Sequence, residues 1–182
     1  MLLKSATDKL LINNQMTSKI LINGNFLCRS LTGIERFAFE TLKNLDEILT
    51  TSDDVSILVP SKAKIIPDYK NIKIIKSPLA ITSFPKWDIF QFKKACKKSG
   101  AVGLNFSNTA PFGKHTGYAF LHDIYGYDCP EDFKNVRSRL IRIYSILHAR
   151  NISHNAKKVF TVSEFSKNQI IKAFKTPSEK IK

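Results

Sequence analysis

The stretch GYAFLHD, residues 117–123, places four apolar or aromatic residues between a glycine and two polar side chains. A continuous apolar run of this kind is typical of a strand buried on both faces, as in the middle of a parallel sheet. Open α/β sheets bind ligands beyond the carboxyl ends of such strands. His122 and Asp123 stand at that position, so we expect any chemistry of the chain to centre there. The alternative is that they only mark where a buried strand returns to water.

Strand and helix patterns alternate along the rest of the chain. Short apolar or β-branched runs predict further strands, and apolar residues at helical spacing predict helices. The predicted strands cover residues 19–23, 55–59, 72–75, 101–106, 118–121 and 158–162. The predicted helices run from a cap at Thr32 to Leu49 and over 88–99, 134–155 and 164–174. This alternation predicts an α/β fold with a doubly wound (Rossmann-like) parallel sheet under right-handed crossovers.

Local signals refine these elements. Thr32 and Glu35 have the spacing of a capping box, in which Thr32 caps the first helix and Glu35 reaches back to it. Ser163 is expected to cap the last helix. The short run 72–75 is flanked by lysines, which favours a position near a sheet edge. Apolar faces are predicted for three helices. They are Ile34, Ala38, Thr41, Leu42, Leu45 and Leu49 in the first helix, Ile89, Phe92 and Cys96 in the second, and Val136, Leu140, Ile143, Tyr144 and Leu147 in the long one.

Length and composition limit the class of protein. With 182 residues, the chain has room for one well-cored domain and is short for two. Its three widely spaced cysteines indicate free thiols in a reducing cytosol, and its four histidines lack zinc-site spacing. No apolar run approaches the ~18–20 residues that span a bilayer. The first twelve residues do not have the pattern of a signal peptide.

The charge is strongly positive, with 29 Lys and Arg against 15 Asp and Glu, a formal net charge of +14. Such an excess points to an anionic partner: nucleic acid, a membrane face or phosphorylated ligands. One cluster comprises the lysines at 93, 94, 97 and 98, and another has seven cations and no acid from Lys134 to Lys158. The alternative is that these clusters are only solvated helix faces.

The common nucleotide and hydrolase motifs are missing. The turn after the first strand lacks the Gly-x-Gly-x-x-Gly spacing of dinucleotide-binding proteins. The chain also has no Walker loop, no nucleophile elbow and no sequence cluster of metal ligands.

Three stretches in order carry a likeness to a known family: LTGIERF at 31–37, LHD at 121–123 and FTVSEFSK at 160–167. Together they resemble the N-terminal domain of the group 1 glycosyltransferases, which are retaining enzymes of the two-domain GT-B architecture. The resemblance covers nearly all of the chain from Ile20 to Lys182. It implies that the parallel sheet is the N-terminal half of a GT-B protein.

The resemblance also implies residue roles. The glycine-bearing turn at Thr32 and Gly33 would face the donor phosphates and the acceptor, because a glycine lets the backbone approach a ligand closely. His122 would contact the donor sugar near its reacting carbon. Asp123 belongs to the same catalytic group, where we expect it to orient the loop rather than to act as a base. Further candidates for binding donor or acceptor are Arg36, Asn108, Tyr125 and Ser163, the last of which we expect to be a helix cap first.

The family holds its nucleotide-sugar mainly with a second Rossmann-like domain. We therefore expect a flexible leader at 1–18, an acceptor-side domain at 19–176, and the start of a crossover to an absent donor-binding domain at 177–182. The whole enzyme would be cytoplasmic and would move a hexose from a nucleotide-sugar to a lipid-linked or polysaccharide acceptor without cofactor or protein-bound metal. The truncated chain alone is expected to be inactive.

A function of another class stays open. A non-catalytic basic α/β module that binds nucleic acid or an anionic membrane surface would account for the charge but not for the three ordered motifs. The absence of a helix-turn-helix or of an aromatic and basic RNA motif counts against nucleic acid. We expect no nucleic-acid partner, and we expect peripheral contact with the inner face of an anionic membrane.

Overall fold

The protein is described from a computed structural model, which places residues 19–50, 53–79, 81 and 83–182. The leader predicted at 1–18 lies outside these residues. The strands are β1 (Ile20–Asn23), β2 (Val55–Val59), β3 (Lys73–Lys76), β4 (Val102–Asn105), β5 (Tyr118–Phe120) and β6 (Lys158–Phe160). The helices are α1 (Ile34–Ile48), α2 (Phe84–Lys86 and Lys93–Ser99, joined by a π-helical segment Trp87–Phe92), α3 (Tyr125–Asp128), α4 (Val136–Asn155) and α5 (Glu164–Phe174). Single 3₁₀ turns cover Gly24–Cys28, Gly113–His115, Pro130–Asp132 and Ser178–Lys180.

The six strands form one parallel sheet in the order β3-β2-β1-β4-β5-β6. The predicted parallel sheet is confirmed, and so is the edge position of β3. Ile181 pairs in parallel with Val159, so the chain extends the sheet beyond β6. The strand order reverses between β1 and β4, and the crevice at such a switch point is where open α/β sheets bind ligands.

Successive side chains of a strand point to opposite faces of the sheet, and helices pack against both faces. In β1, Leu21 packs in a cluster with Trp87 and Phe92 of α2. The next residue, Ile22, packs in a separate cluster that includes Leu42 of α1. The fold is therefore the doubly wound, Rossmann-like α/β arrangement that the sequence predicts.

Two glycines allow close backbone contacts within the sheet. Gly117 leads into β5 with a φ of +67°, and a Cβ atom there would lie 2.2 Å from the carbonyl oxygen of Gly103 in β4. A Cβ atom on Gly24, just after β1, would lie 2.5 Å from the carbonyl oxygen of Leu58. Any larger residue at either position would collide with the backbone of the neighbouring strand, so both positions require glycine.

The second helix differs from its prediction in both start and orientation. It begins at Phe84 rather than near residue 88, and its π-helical segment adds residues to one turn. Such a turn changes which side chains face the core. Trp87 and Asp88 are buried, whereas Ile89, predicted in the apolar face, is 46% exposed. Phe92 and Cys96 are buried as predicted.

The apolar face predicted for the long helix does not face the core. Four of its five members, Val136, Leu140, Ile143 and Leu147, are more than half exposed. The fifth, Tyr144, is half-buried, and its ring centroid lies 4.3 Å from that of His148. The buried residues lie in the second half of α4, where Ile152 packs against the β5 and β6 cluster. A 20-residue helix is about 30 Å long, whereas a three-residue strand covers only about 10 Å. The sheet therefore cannot cover the first half of α4.

Candidate functional site

The carboxyl ends of β1 and β4 meet at the switch point of the sheet, where two buried asparagines are joined. Asn23 donates through Nδ2 to Oδ1 of Asn105 at 3.0 Å. Asn105 in turn donates to the carbonyl oxygens of Thr116 and Tyr118 at 2.9 and 3.1 Å. These bonds satisfy the amides away from water and hold the loop before β5 against the crevice.

The π-helical segment of α2 adds two more polar groups to this cluster. The indole N–H of Trp87 donates to Oδ1 of Asn23 at 2.7 Å, and Nδ2 of Asn23 donates to Oδ1 of Asp88 at 2.9 Å. Asp88 is only 1% exposed. Burial raises the pKa of Asp88 to about 6, although the hydrogen bond from Asn23 opposes that rise. A carboxyl group thus lies beneath the switch point with a pKa close to neutral pH.

Replacing Asp88 with asparagine is expected to remove a pH dependence of the free energy of unfolding. The pKa is about 6 in the folded protein and near 3.8 when unfolded, so between these values the folded state binds more protons and the wild type loses stability as pH rises. The amide in the Asp88→Asn variant cannot titrate, so we expect the variant to gain about 3 kcal/mol relative to wild type across that window.

Urea denaturation of both proteins from pH 4 to pH 7 measures this difference. Burial lowers the pKa of His148 to about 4, so His148 titrates in the same window with the opposite effect on stability. It is present in both proteins and cancels in the comparison. Parallel curves for the two proteins would contradict the burial of a titrating carboxyl group at Asp88.

His122 follows β5 and is 7% exposed. Its Nε2 lies 2.9 Å from the carbonyl oxygen of Phe106. Because a carbonyl oxygen only accepts, Nε2 must carry the hydrogen, and in the neutral ring Nδ1 is then the acceptor. Burial lowers the pKa of His122, against the opposing effects of the Phe106 carbonyl and the Asp123 carboxylate. The ring is therefore neutral at pH 7, with an Nδ1 that can accept a hydrogen bond from a hydroxyl group.

The His122 ring is held between aromatic side chains. Phe37 of α1 meets it edge-on with ring centroids 5.0 Å apart, and Phe120 of β5 stacks on it at 5.8 Å. Phe37 is the last residue of the LTGIERF stretch and His122 belongs to the LHD stretch, so this contact brings the two stretches together in space. The rings leave the imidazole little freedom to rotate, which keeps Nδ1 in one direction.

The backbone at His122 is positioned by its neighbours in the site. Oδ1 of Asn108 accepts from the His122 N–H at 2.7 Å. Asn108 has a φ of +54°, a left-handed conformation that asparagine tolerates better than most residues. Asp123 is exposed, and its Oδ1 accepts from the Tyr125 N–H at 3.2 Å. Asn108 thus fixes the end of β5, and Asp123 shapes the turn that follows.

The start of α1 corrects one prediction. Gly33, with a φ of +49°, stands at the N-cap, and no side chain caps the helix. Thr32 contributes only its carbonyl oxygen, which accepts from the Glu35 N–H at 3.0 Å, so the predicted capping box is wrong. Glu35 instead pairs with Arg29 at 3.5 Å, because the left-handed turn at Gly33 directs the chain away from Thr32. The side chain of Arg36 is exposed on the first turn of α1.

Two sequence candidates make their side-chain contacts with residues other than His122. Tyr125 is half exposed, its hydroxyl group hydrogen-bonds to Asp132, and its ring packs against Phe133. Ser163 caps α5 by accepting from the Ser166 N–H at 3.1 Å, as predicted. Within the described ranges, no hydrogen bond or ring contact connects Tyr125 or Ser163 to His122.

Sequence reasoning missed the polar cluster at the switch point. Asn23 and Asn105 each end an apolar strand, which is the same signal that singled out His122. Asp88 gave no comparable signal, because it lies between aromatic and apolar residues of a helix whose orientation depends on the π-helical segment. Arg29 was missed as well, and it lies over the Phe84 ring at 4.0 Å from the centroid.

No protein-family model, curated protein or solved structure matches the chain. The likeness to group 1 glycosyltransferases therefore stays a prediction. In the part of the chain that the structure describes, no group of three or more His, Cys, Asp or Glu side chains is placed to hold a metal ion.

Proposed function

We propose that this chain is the acceptor-binding N-terminal domain of a retaining glycosyltransferase of the GT-B type. The whole enzyme moves a hexose from a nucleotide-sugar to a hydroxyl group of a lipid-linked or polysaccharide acceptor. The donor is held mainly by a second domain. The enzyme works in the cytoplasm, at the periphery of the inner membrane face.

The observation that carries this proposal is the meeting of separate motifs at one edge of the sheet. The start of α1 and the end of β5 lie together through the contact of Phe37 with His122. The Ser163 motif follows β6, the neighbour of β5 in the parallel sheet, so it begins at the same edge. The first two of the three stretches are thus in contact, and the third begins at the same edge of the sheet, on a fold that suits the family they resemble.

In this proposal each residue has a chemical task. Nδ1 of His122 accepts a hydrogen bond from a sugar hydroxyl group near the reacting carbon, and the neutral ring adds no competing charge. Asn108 and Asp123 hold the loop that carries it. The uncapped N-terminus of α1 and the exposed Arg36 supply positive charge for the departing diphosphate. This chemistry uses no protein-bound metal and no cofactor.

The second candidate is a basic α/β module that binds nucleic acid, which the formal charge of +14 favours. It gives no role to a neutral, buried His122 held in one tautomer. A phosphate backbone is bound by exposed cations, and its affinity falls steeply with salt. The two functions therefore place ligand contacts on different residues.

An NMR titration of the isotope-labelled chain tests the proposal. The probe is a short-chain prenyl-diphosphate-linked monosaccharide, with a duplex DNA oligonucleotide as the second arm. We expect the saccharide to shift the amide signals of Gly33, Asn108 and His122, and His122→Gln to weaken that response. Shifts confined to surface lysines and arginines, with tighter binding to DNA, would overturn the proposal in favour of the basic module.

A further inference from the structure

The first half of α4 presents a continuous apolar stripe to solvent. Val136, Leu140, Ile143 and Leu147 follow one another at intervals of four, three and four residues, which places them within about 60° of the helix circumference. Their exposed fractions are 74%, 63%, 52% and 51%. Four large aliphatic side chains in one row are more than the scattered apolar residues that a protein surface ordinarily carries.

Positive charge borders this stripe on both sides. By helical geometry, Arg139 and Arg150 lie along one side of the row and Arg137 along the other, and all three are exposed. No acidic residue occurs between Lys134 and Lys158. In the described part of the chain, none of these arginines has an ion-pair partner within 4.0 Å.

A cleft of about 400 Å³ opens beside the start of the stripe. It is lined by Lys134, Arg139, Arg142 and Ile143, together with Pro130, Glu131 and Phe133. Arg142 is held in place there, since its Nε donates to the carbonyl oxygen of Gly126 at 2.8 Å. The cleft therefore joins three cationic groups, one carboxylate and several apolar side chains at one spot.

We infer that the first half of α4 lies on an anionic phospholipid surface, with its apolar stripe in the boundary between headgroups and acyl chains. A helix with one aliphatic row bordered by basic residues binds in the plane of such an interface. The bordering arginines face the lipid phosphates, and the cleft takes a headgroup. None of the described helices is long and apolar enough to cross a membrane.

The charge and the stripe together favour a bilayer over a second copy of the chain or nucleic acid. A second copy docked on this face would bring arginine rows of the same sign together, which opposes association. Nucleic acid would satisfy the arginines but leave four aliphatic side chains against phosphates. An anionic bilayer satisfies both at once. The inference deepens the membrane part of the proposed function and rests on it for the nature of the acceptor.

Vesicle co-sedimentation of the 182-residue chain tests the inference. The probes are vesicles of phosphatidylcholine alone and of phosphatidylcholine mixed with phosphatidylglycerol, each at low and high salt. We expect binding to the anionic vesicles only, and weaker binding at high salt as the charges are screened. Leu140→Ser with Ile143→Ser is expected to weaken binding on the order of tenfold.

Matched variants distinguish the stripe from general surface effects. Ile141 is as exposed as Ile143, at 52%, but lies off the stripe on the same helix, so Ile141→Ser is expected to bind like wild type. Arg139→Gln with Arg150→Gln is expected to weaken binding by about fivefold for each charge. The matched change Lys94→Gln with Lys98→Gln on α2 is expected to have little effect.

Five results would overturn the inference. Three come from the vesicle assay: equal binding to neutral and anionic vesicles, an equal loss for Ile141→Ser, and a larger loss for the α2 lysines than for the α4 arginines. The other two are a dimer in sedimentation velocity that the stripe variants abolish, and tighter binding to duplex DNA than to anionic vesicles. The assay contains no sugar, so its failure would leave the saccharide titration and the transfer function untouched.

Discussion

His122→Ala is expected to lower kcat by about 10²–10³ in the complete two-domain transferase that the proposed function requires, because it removes a hydrogen bond at the reacting sugar. The substitution shortens a side chain whose ring contacts Phe37 and Phe120, so some loss of stability accompanies it. Steady-state transfer from a labelled nucleotide-sugar measures kcat, and thermal unfolding measures the fold.

Two conservative variants separate the chemistry from the packing. In His122→Gln, the amide nitrogen can reach the position of Nε2 and keep the bond to the Phe106 carbonyl, but the acceptor at Nδ1 is lost. We expect this variant to fold like wild type and to lose as much kcat as alanine. His122→Asn offers an oxygen near Nδ1 and is expected to keep part of the rate. Full activity in a folded His122→Gln protein would show that His122 only ends a strand.

Gly117→Ala is expected to lower the free energy of unfolding by about 4 kcal/mol or more, which is the range of the most damaging single substitutions. The new Cβ atom would lie 2.2 Å from the Gly103 carbonyl oxygen and 2.9 Å from the Gly103 nitrogen. Both are backbone atoms of the neighbouring strand, so no side chain can move aside. Urea denaturation measures the change, and the soluble yield reports a variant too unstable to purify.

Gly100→Ala is the matched control. Gly100 has a φ of +68°, nearly the same as Gly117, but a Cβ atom there meets nothing within 4 Å. Only the left-handed backbone conformation disfavours a side chain at this position, and it lowers the free energy of unfolding by about 1–2 kcal/mol. The difference between the two variants therefore isolates the clash between β4 and β5. Equal losses of stability would contradict the close approach of these strands.

The strands and their direction were readable from local sequence. The run from Tyr118 to Leu121 is apolar at every position, which is typical of a strand inside a parallel sheet. In the structure Ala119 and Leu121 are buried, whereas Tyr118 and Phe120 are half-buried. Helical patterns in three of the five connections then indicate crossovers, which make the strands they join parallel. The connections from β2 to β3 and from β4 to β5 contain no α-helix and gave no such signal. The place of His122 at the binding edge follows directly, because in a parallel sheet all carboxyl ends lie on one side.

The sequence predictions were wrong where contacts with a distant part of the chain decided the local structure. The spacing of Thr32 and Glu35 predicts a capping box, but the left-handed turn at Gly33 and the pairing of Glu35 with Arg29 replace it. The heptad-like row from Val136 to Leu147 predicts a core face, but the short strands β5 and β6 reach only the second half of α4. Periodicity shows that a helix has an apolar face and not what lies opposite that face.

The sequence by itself determined the doubly wound parallel sheet, the bounds of its six strands to within two residues, and the position of His122 after β5, because these depend on burial patterns within short segments. Only the tertiary structure decided the tautomer of His122, the burial of Asp88 under Asn23, and the exposure of the α4 stripe. The first two depend on a group from a distant part of the chain, namely the Phe106 carbonyl and the Asn23 amide. The third depends on the fact that no other described element covers the stripe. Such pairings are set by the packing of whole elements, which no local pattern encodes.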